Sequence, residues 1–111
     1  MVNYLKELQA LADESRLRIL NLIYEGELCV CDIIAIIGIH QSNASRHLTV
    51  LKNAGIIQCR KSAQWNYHYL NKAELPDYLN SLIINVLRKQ KIYLDDLKTL
   101  KTIGKDSCKK V

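Results

Sequence analysis

The stretch that most constrains this chain runs from residue 27 to residue 55. It opens Glu27-Leu28-Cys29-Val30-Cys31-Asp32, continues through the apolar segment Ile33 to Ile37, and breaks at Gly38. A second helical pattern runs from Gln41 to Ala54 and closes on Gly55. Two short helices about four residues apart, the first ending on a Gly, read as a helix-turn-helix. The second helix carries Ser42, Asn43, Ser45, Arg46 and His47 near its start. Side chains of these types bond to base edges and phosphates. Leu48, Leu51 and Ala54 recur behind them at helical spacing and are expected to face inward. Two thiols therefore stand at the start of the helix before the reader. A ligand that drew them together would pull on the reader.

The remaining bounds are broad. At 111 residues the chain is one domain, and 49% of it is apolar, enough for a small core. A core of that size gains from a dimer interface. There is no Phe, so the core leans on Leu, Ile and Val. The net charge of +5 suits a polyanionic partner, nucleic acid first. No apolar run of membrane-spanning length and no signal peptide are visible, which points to the cytoplasm. In a reducing compartment the four cysteines read as free thiols or metal ligands rather than disulfides. No catalytic Ser/His/Asp set, phosphate loop or paired acid site is present, so no enzyme is expected.

Taken in order, Tyr4, Leu5, Leu8 and Leu11 give a short amphipathic helix over residues 2 to 11. Asp13 is a good N-cap for the next helix, whose inner face is Leu17, Leu20 and Ile23-Tyr24, with Arg16 and Arg18 directed elsewhere. Gly26 ends it. After Gly55, Ile56 to Lys61 is β-prone, Ser62-Ala63-Gln64 is a polar break, and Trp65 to Leu70 alternates with period two. These make a β-hairpin, and without Asn-Gly its loop is expected to exceed two residues. The fold class is therefore mostly α with a small β-hairpin, a winged helix-turn-helix, with Arg60 and Lys61 near the wing. Pro76 suits the first turn of a last helix. Leu75, Leu79, Leu82, Ile83, Val86, Leu87, Leu94, Leu97 and Leu100 form a stripe along it wider than one small core needs. The excess reads as a dimer seam shared with the first helix. The domain spans 1–103, and 104–111 is a lysine-rich, mobile tail carrying Cys108.

Several segments together carry a resemblance. Leu11-Ala12-Asp13-Glu14-Ser15-Arg16-Leu17-Arg18-Ile19-Leu20 is similar to an opening signature of the type LADPTRLRIL. Glu27 to Asp32 matches a thiol metal box. Ser45-Arg46-His47-Leu48, Leu51-Lys52 and Ala54-Gly55-Ile56-Ile57 match a recognition helix and its exit, and Trp65-Asn66-Tyr67-His68-Tyr69 matches a wing. Over roughly residues 5 to 75 the chain resembles the ArsR/SmtB family of metal- and arsenic-sensing repressors. The resemblance implies a homodimeric winged-helix repressor that binds double-stranded operator DNA and leaves it when a toxic ion binds. As(III) or Sb(III) is the inducer it favours, with Cd(II) or Pb(II) as the alternative. The third Cys of the arsenite type is Ile34 here, the N-terminal cysteines of the cadmium type are absent, and the His ligands of the zinc type are missing from the last helix.

Thiophilic ions select thiolates, and arsenite favours three sulfurs. Residues i and i+2 of a regular helix diverge, but at a helix start Cys29 and Cys31 can turn to one ion and twist the first turn. A helix N-terminus is also expected to lower the thiol pKa. Cys108 is the favoured third ligand. Cys59, or a two-sulfur site completed by water, hydroxide or a small thiol, are the alternatives. A thiol redox sensor on the same fold is a further reading, and two small buried apolar side chains the plainest one. For DNA, Ser42, Asn43, Ser45 and Arg46 are the expected groove contacts. Gln41 and His47 are expected at phosphates, and Arg60 and Lys61 at the backbone beside the wing.

Overall fold

The computed structural model describes residues 4–103. Helix α1 (Tyr4–Leu11) leads into α2 (Glu14–Ile23), α3 (Val30–Ile37) and α4 (Gln41–Asn53). Strands β1 (Gln58–Ser62) and β2 (Trp65–Tyr69) follow, then a short tight turn at Lys72–Glu74. The described residues close with α5 (Asp77–Ser81), two irregular helical turns, and α6 (Lys91–Ile103). This is a winged helix-turn-helix. Among the described residues, no helix is long and apolar enough to cross a membrane.

The local chemistry accounts for the helix ends. Asp13 accepts the Arg16 N–H at the start of α2 and satisfies one of its orphan donors. Gly38 stops α3 in the left-handed conformation, φ +79°, where its amide reaches the Ile34 carbonyl. Three residues later α4 begins. The apolar faces of α2, α3 and α4 close on one core of Ile19, Leu20, Leu22, Ile33, Leu51 and Ile57, all fully buried. Leu79 and Ile83 seal it from the C-terminal segment.

Polar ties fix the C-terminal segment to α2. Arg18 forms a two-pronged ion pair with Asp96, both contacts 2.8 Å, and Asp96 is 4% exposed. Fully buried Asn21 donates to the Tyr93 carbonyl and accepts from Arg88, whose guanidinium also reaches Glu25. Arg16 is likewise engaged, donating to the Ala10 carbonyl and to His47. Arg16 and Arg18 thus lie off the apolar face of α2, as expected, but each is held by partners that spacing does not reveal. Their partners lie on other elements and leave no local trace.

Two expectations change. The hairpin loop is two residues, not longer, because Ser62 pairs directly with Trp65 and only Ala63 and Gln64 remain. Ala63 takes φ +56° to make this turn. Two-residue hairpins need such a primed turn to match the strand twist, and here a non-Gly residue adopts it. The last helix is also not continuous. A wide π-helical turn at Leu82–Val86 and a tight one at Leu87–Lys89 lead to Gln90, whose backbone is extended (ψ 141°). Two helices share the apolar stripe. Tyr4, Leu5, Leu8, Tyr78, Ile84, Val86 and Leu94 remain exposed at 38–63%. Several line an apolar hollow of about 500 Å³ between α1 and the α5 region.

Candidate functional site

The thiol box sits where three elements meet. Cys29 is the N-cap of α3, with extended backbone and 1% exposure. Asp32, three residues on and fully buried, accepts from the Cys29 backbone N–H at 3.2 Å and from its thiol at 3.2 Å. This is a capping box in which a thiol replaces the usual hydroxyl. Cys31 is half-buried, in the first turn of α3. Burial is the largest influence on the Cys29 thiol and pushes its pKa up. The Asp32 carboxylate adds to that, against the lowering pull of the Asp32 and Cys31 amides. The expectation that the helix N-terminus lowers this thiol is corrected, because desolvation wins.

The residues just before Cys29 are tied to the wing. Leu28 and His68 exchange both backbone hydrogen bonds, 3.0 and 2.8 Å, as an isolated antiparallel rung beside β2. Glu27 pairs with Arg60 of β1 through both carboxylate oxygens, and Arg60 lies over the Tyr67 ring, 4.9 Å from its centre. Sequence reasoning missed these partners. Glu27 stood in the box and Arg60 in the wing, but nothing local links residues 33 apart.

Helix α4 presents a different surface. His40 caps it, its ring Nδ1 accepting from the Ser42 amide at 3.2 Å. His is an uncommon cap, so nothing local to residue 40 signalled it. Gln41, Ser42, Asn43, Ser45 and Arg46 are all exposed, on the side away from the buried Ala44, Leu48 and Leu51. Lys61 is exposed on β1.

His47 departs from this face. It is 5% exposed and its Nδ1 accepts from Arg16 at 3.1 Å. Burial first, then the Arg46 and Arg16 charges, hold its pKa below the usual value despite Asp13. The expected phosphate contact is replaced by an inward-facing link between α4 and α2. Arg60 is exposed on β1, where its guanidinium pairs with Glu27.

Among the described residues, no group of three or more His, Cys, Asp or Glu could hold a metal. Cys29 is a free thiol, but Cys31 is disulfide-bonded, which corrects the expectation of thiols rather than disulfides at this position. Once that bond is reduced, the two sulfurs within one turn suit a thiophilic ion. A three-sulfur pyramid draws its last donor from elsewhere. Cys108 lies outside the described residues.

Comparison with known proteins adds context to this geometry. A family model for bacterial regulatory proteins of the arsR family matches residues 13–58. The chain is 39% identical over 80 residues to the arsenic resistance transcriptional regulator ArsR1 of Pseudomonas putida, covering 71% of this chain and 62% of that one. It thus spans less than two thirds of that relative. It is 35% identical over 88 residues to the arsenical resistance operon repressor of Bacillus subtilis, covering 78% of this chain and 84% of the repressor. It is also 43% identical over 67 residues to a cadmium resistance regulatory protein CadC homolog of Staphylococcus aureus, covering 60% and 55%. Among solved structures, it resembles the homodimeric winged helix-turn-helix DNA-binding domain of a Mycobacterium bovis protein. That match has a TM-score of 0.63 and 27% identity, over 78% of this chain and 76% of the other.

Proposed function

Because the chain belongs to the arsR family of bacterial regulatory proteins, we propose that it is a metalloid-responsive transcriptional repressor. It occupies double-stranded operator DNA as a homodimer and leaves it when As(III) or Sb(III) binds thiolates at the start of α3. The exposed apolar residues of α1 and of the α5 region form the dimer seam. A two-fold dimer reads half-sites about one helical turn apart, or a multiple of it.

Ser42, Asn43, Ser45 and Arg46 read the groove, with Gln41 and Lys61 at phosphates. His47 positions α4 through Arg16 rather than touching DNA, and Arg60 reaches DNA only after letting go of Glu27.

One observation carries the regulatory half of this reading. Cys29 directly follows the two residues that tie α3 to the wing. To bind an ion, the Cys29 thiol gives its proton to solvent and its sulfur leaves Asp32. Turning Cys29 and Cys31 to one ion then strains the Leu28–His68 rung and the Glu27–Arg60 pair. The wing moves relative to α4, and the two-fold reading surface loses its match to the operator. By reciprocity, DNA weakens ion binding as much as the ion weakens DNA binding, typically 5- to 150-fold. The third ligand is Cys108, Cys59 or none.

A second reading, with Cd(II) or Pb(II) as inducer, is favoured by the likeness to a cadmium resistance regulator. The test is operator binding by the reduced protein, followed by fluorescence anisotropy with arsenite, antimonite or cadmium added. Release by arsenite in wild type, lost in Cys29→Ser, supports the proposal. Release by cadmium alone turns it to the second reading. Undisturbed binding with every ion overturns both.

A further inference from the structure

The wing has two faces. One carries Tyr67, Arg60, Trp65 and Tyr69. The other carries Cys59 and His68, which are direct partners in the antiparallel register. His68 spends its backbone N–H and carbonyl on Leu28, so its rung with Cys59 is the kind without backbone hydrogen bonds. In such rungs the side chains stand closest, with Cβ atoms about 4.5–5.5 Å apart. Both residues line a cleft of about 420 Å³ between the hairpin and α4, together with Gln41, Ser45, Thr49 and Lys52.

Neither side chain is held by a firm hydrogen bond, and a site built on this pair takes Cys59 as a wing ligand rather than as the third donor at α3. Cys59 is a free thiol whose contact with the Arg60 carbonyl, 4.0 Å long, is too long to hold it. His68 Nδ1 is buried and has no hydrogen-bond partner. A buried ring nitrogen with no partner is uncommon and calls for an explanation. The plain explanation is packing, but the residue paired directly with it across the hairpin is a free thiol, and both line the same cleft.

We propose that Cys59 and His68 form a second ion site, on the wing, for a soft monovalent d10 cation of the Cu(I) kind. Thiolate and imidazole are both ligands for copper, and a two-coordinate ion needs no third protein donor, whereas zinc wants four. Charge favours the monovalent ion. The Lys52 ammonium shares the cleft. One thiolate and one Cu(I) sum to zero beside it, while a divalent ion would leave net positive charge. Binding releases the Cys59 thiol proton to solvent and transfers no electron.

The test uses the full chain with Cys29→Ser, Cys31→Ser and Cys108→Ser, so that Cys59 is the only thiol. Cu(I) is supplied anaerobically against a chromophoric Cu(I) chelator, with circular dichroism as the check on folding. The expected result is one equivalent bound, one sulfur and one nitrogen in the X-ray absorption spectrum, and at least tenfold weaker binding after adding either Cys59→Ser or His68→Gln. A folded triple variant that takes up no Cu(I), or that binds equally well after Cys59→Ser, overturns the proposal.

Discussion

The two helices of the helix-turn-helix begin in opposite ways. Helix α3 starts inside the protein. Its cap is a buried thiol, its third residue is a buried carboxylate, and the two residues before it are fastened to the wing. Helix α4 starts in the open, capped by exposed His40 and followed by a run of exposed polar side chains. A buried start transmits displacement, since its neighbours must move with it. An exposed start is available for contact, and displacing it disturbs little else. In the proposed function, the same motif therefore holds a sensing end at Cys29 and a reading end at His40, one helix apart.

Substitutions at the two ends should separate these roles. The largest effect is expected at the reading end. Arg46→Ala should weaken operator binding by about 1–3 kcal/mol while leaving thermal stability unchanged. Anisotropy titration beside a melting curve measures both, and equal loss in both would erase the distinction. Asp32→Ala is the mirror case. It removes the one carboxylate oxygen that accepts from both the amide and the thiol of Cys29, and folding stability should fall by about 0.5–2 kcal/mol in urea, with operator affinity of the remaining folded protein little changed. An unmoved urea midpoint would show that the buried cap stabilises nothing.

Acid should act from the side of α4 that faces inward. The folded-state pKa of His47 lies below its unfolded value of about 6.5, so folding favours the neutral ring. That contribution is fully present above pH 6.5 and declines as pH falls toward the folded value. His68 is shifted the same way, by burial and then Lys52. Urea midpoints at pH 7.5 and 5.5 should therefore drop for wild type, and drop less for His47→Gln. An equal drop would remove His47 from the account. The smallest effect is expected at Ala63→Gly, which relieves a left-handed alanine but frees the unfolded chain. A gain below about 1 kcal/mol is expected, and a clear loss would mean that the turn does not require that backbone.

Much of this was legible beforehand because its causes are local. Gly38 and Gly55, the Asp13 cap and the inward Leu48 and Leu51 follow from spacing and backbone preference. The interruption at Gln90 was hidden, since Leu87-Arg88-Lys89-Gln90 contains no Gly or Pro and each residue favours a helix. What overrides that preference is tertiary. Arg88 is drawn to Asn21 and Glu25, and Asp96 to Arg18, so α6 must lie along α2. The inward turn of His47 and the capture of Arg60 by Glu27 were hidden for the same reason. A guanidinium finds its carboxylate across the fold, where periodicity carries no information.

The single rung between Leu28 and His68 also makes the molecule report on itself. Their two amide protons belong to different elements, yet each is shielded by the other's carbonyl. Neither can exchange with solvent unless the rung opens, so the two should exchange at closely matched rates, set by one shared opening event. That pair of signals would register the unfastening of sensor from wing on a clock of its own, with no DNA in the tube.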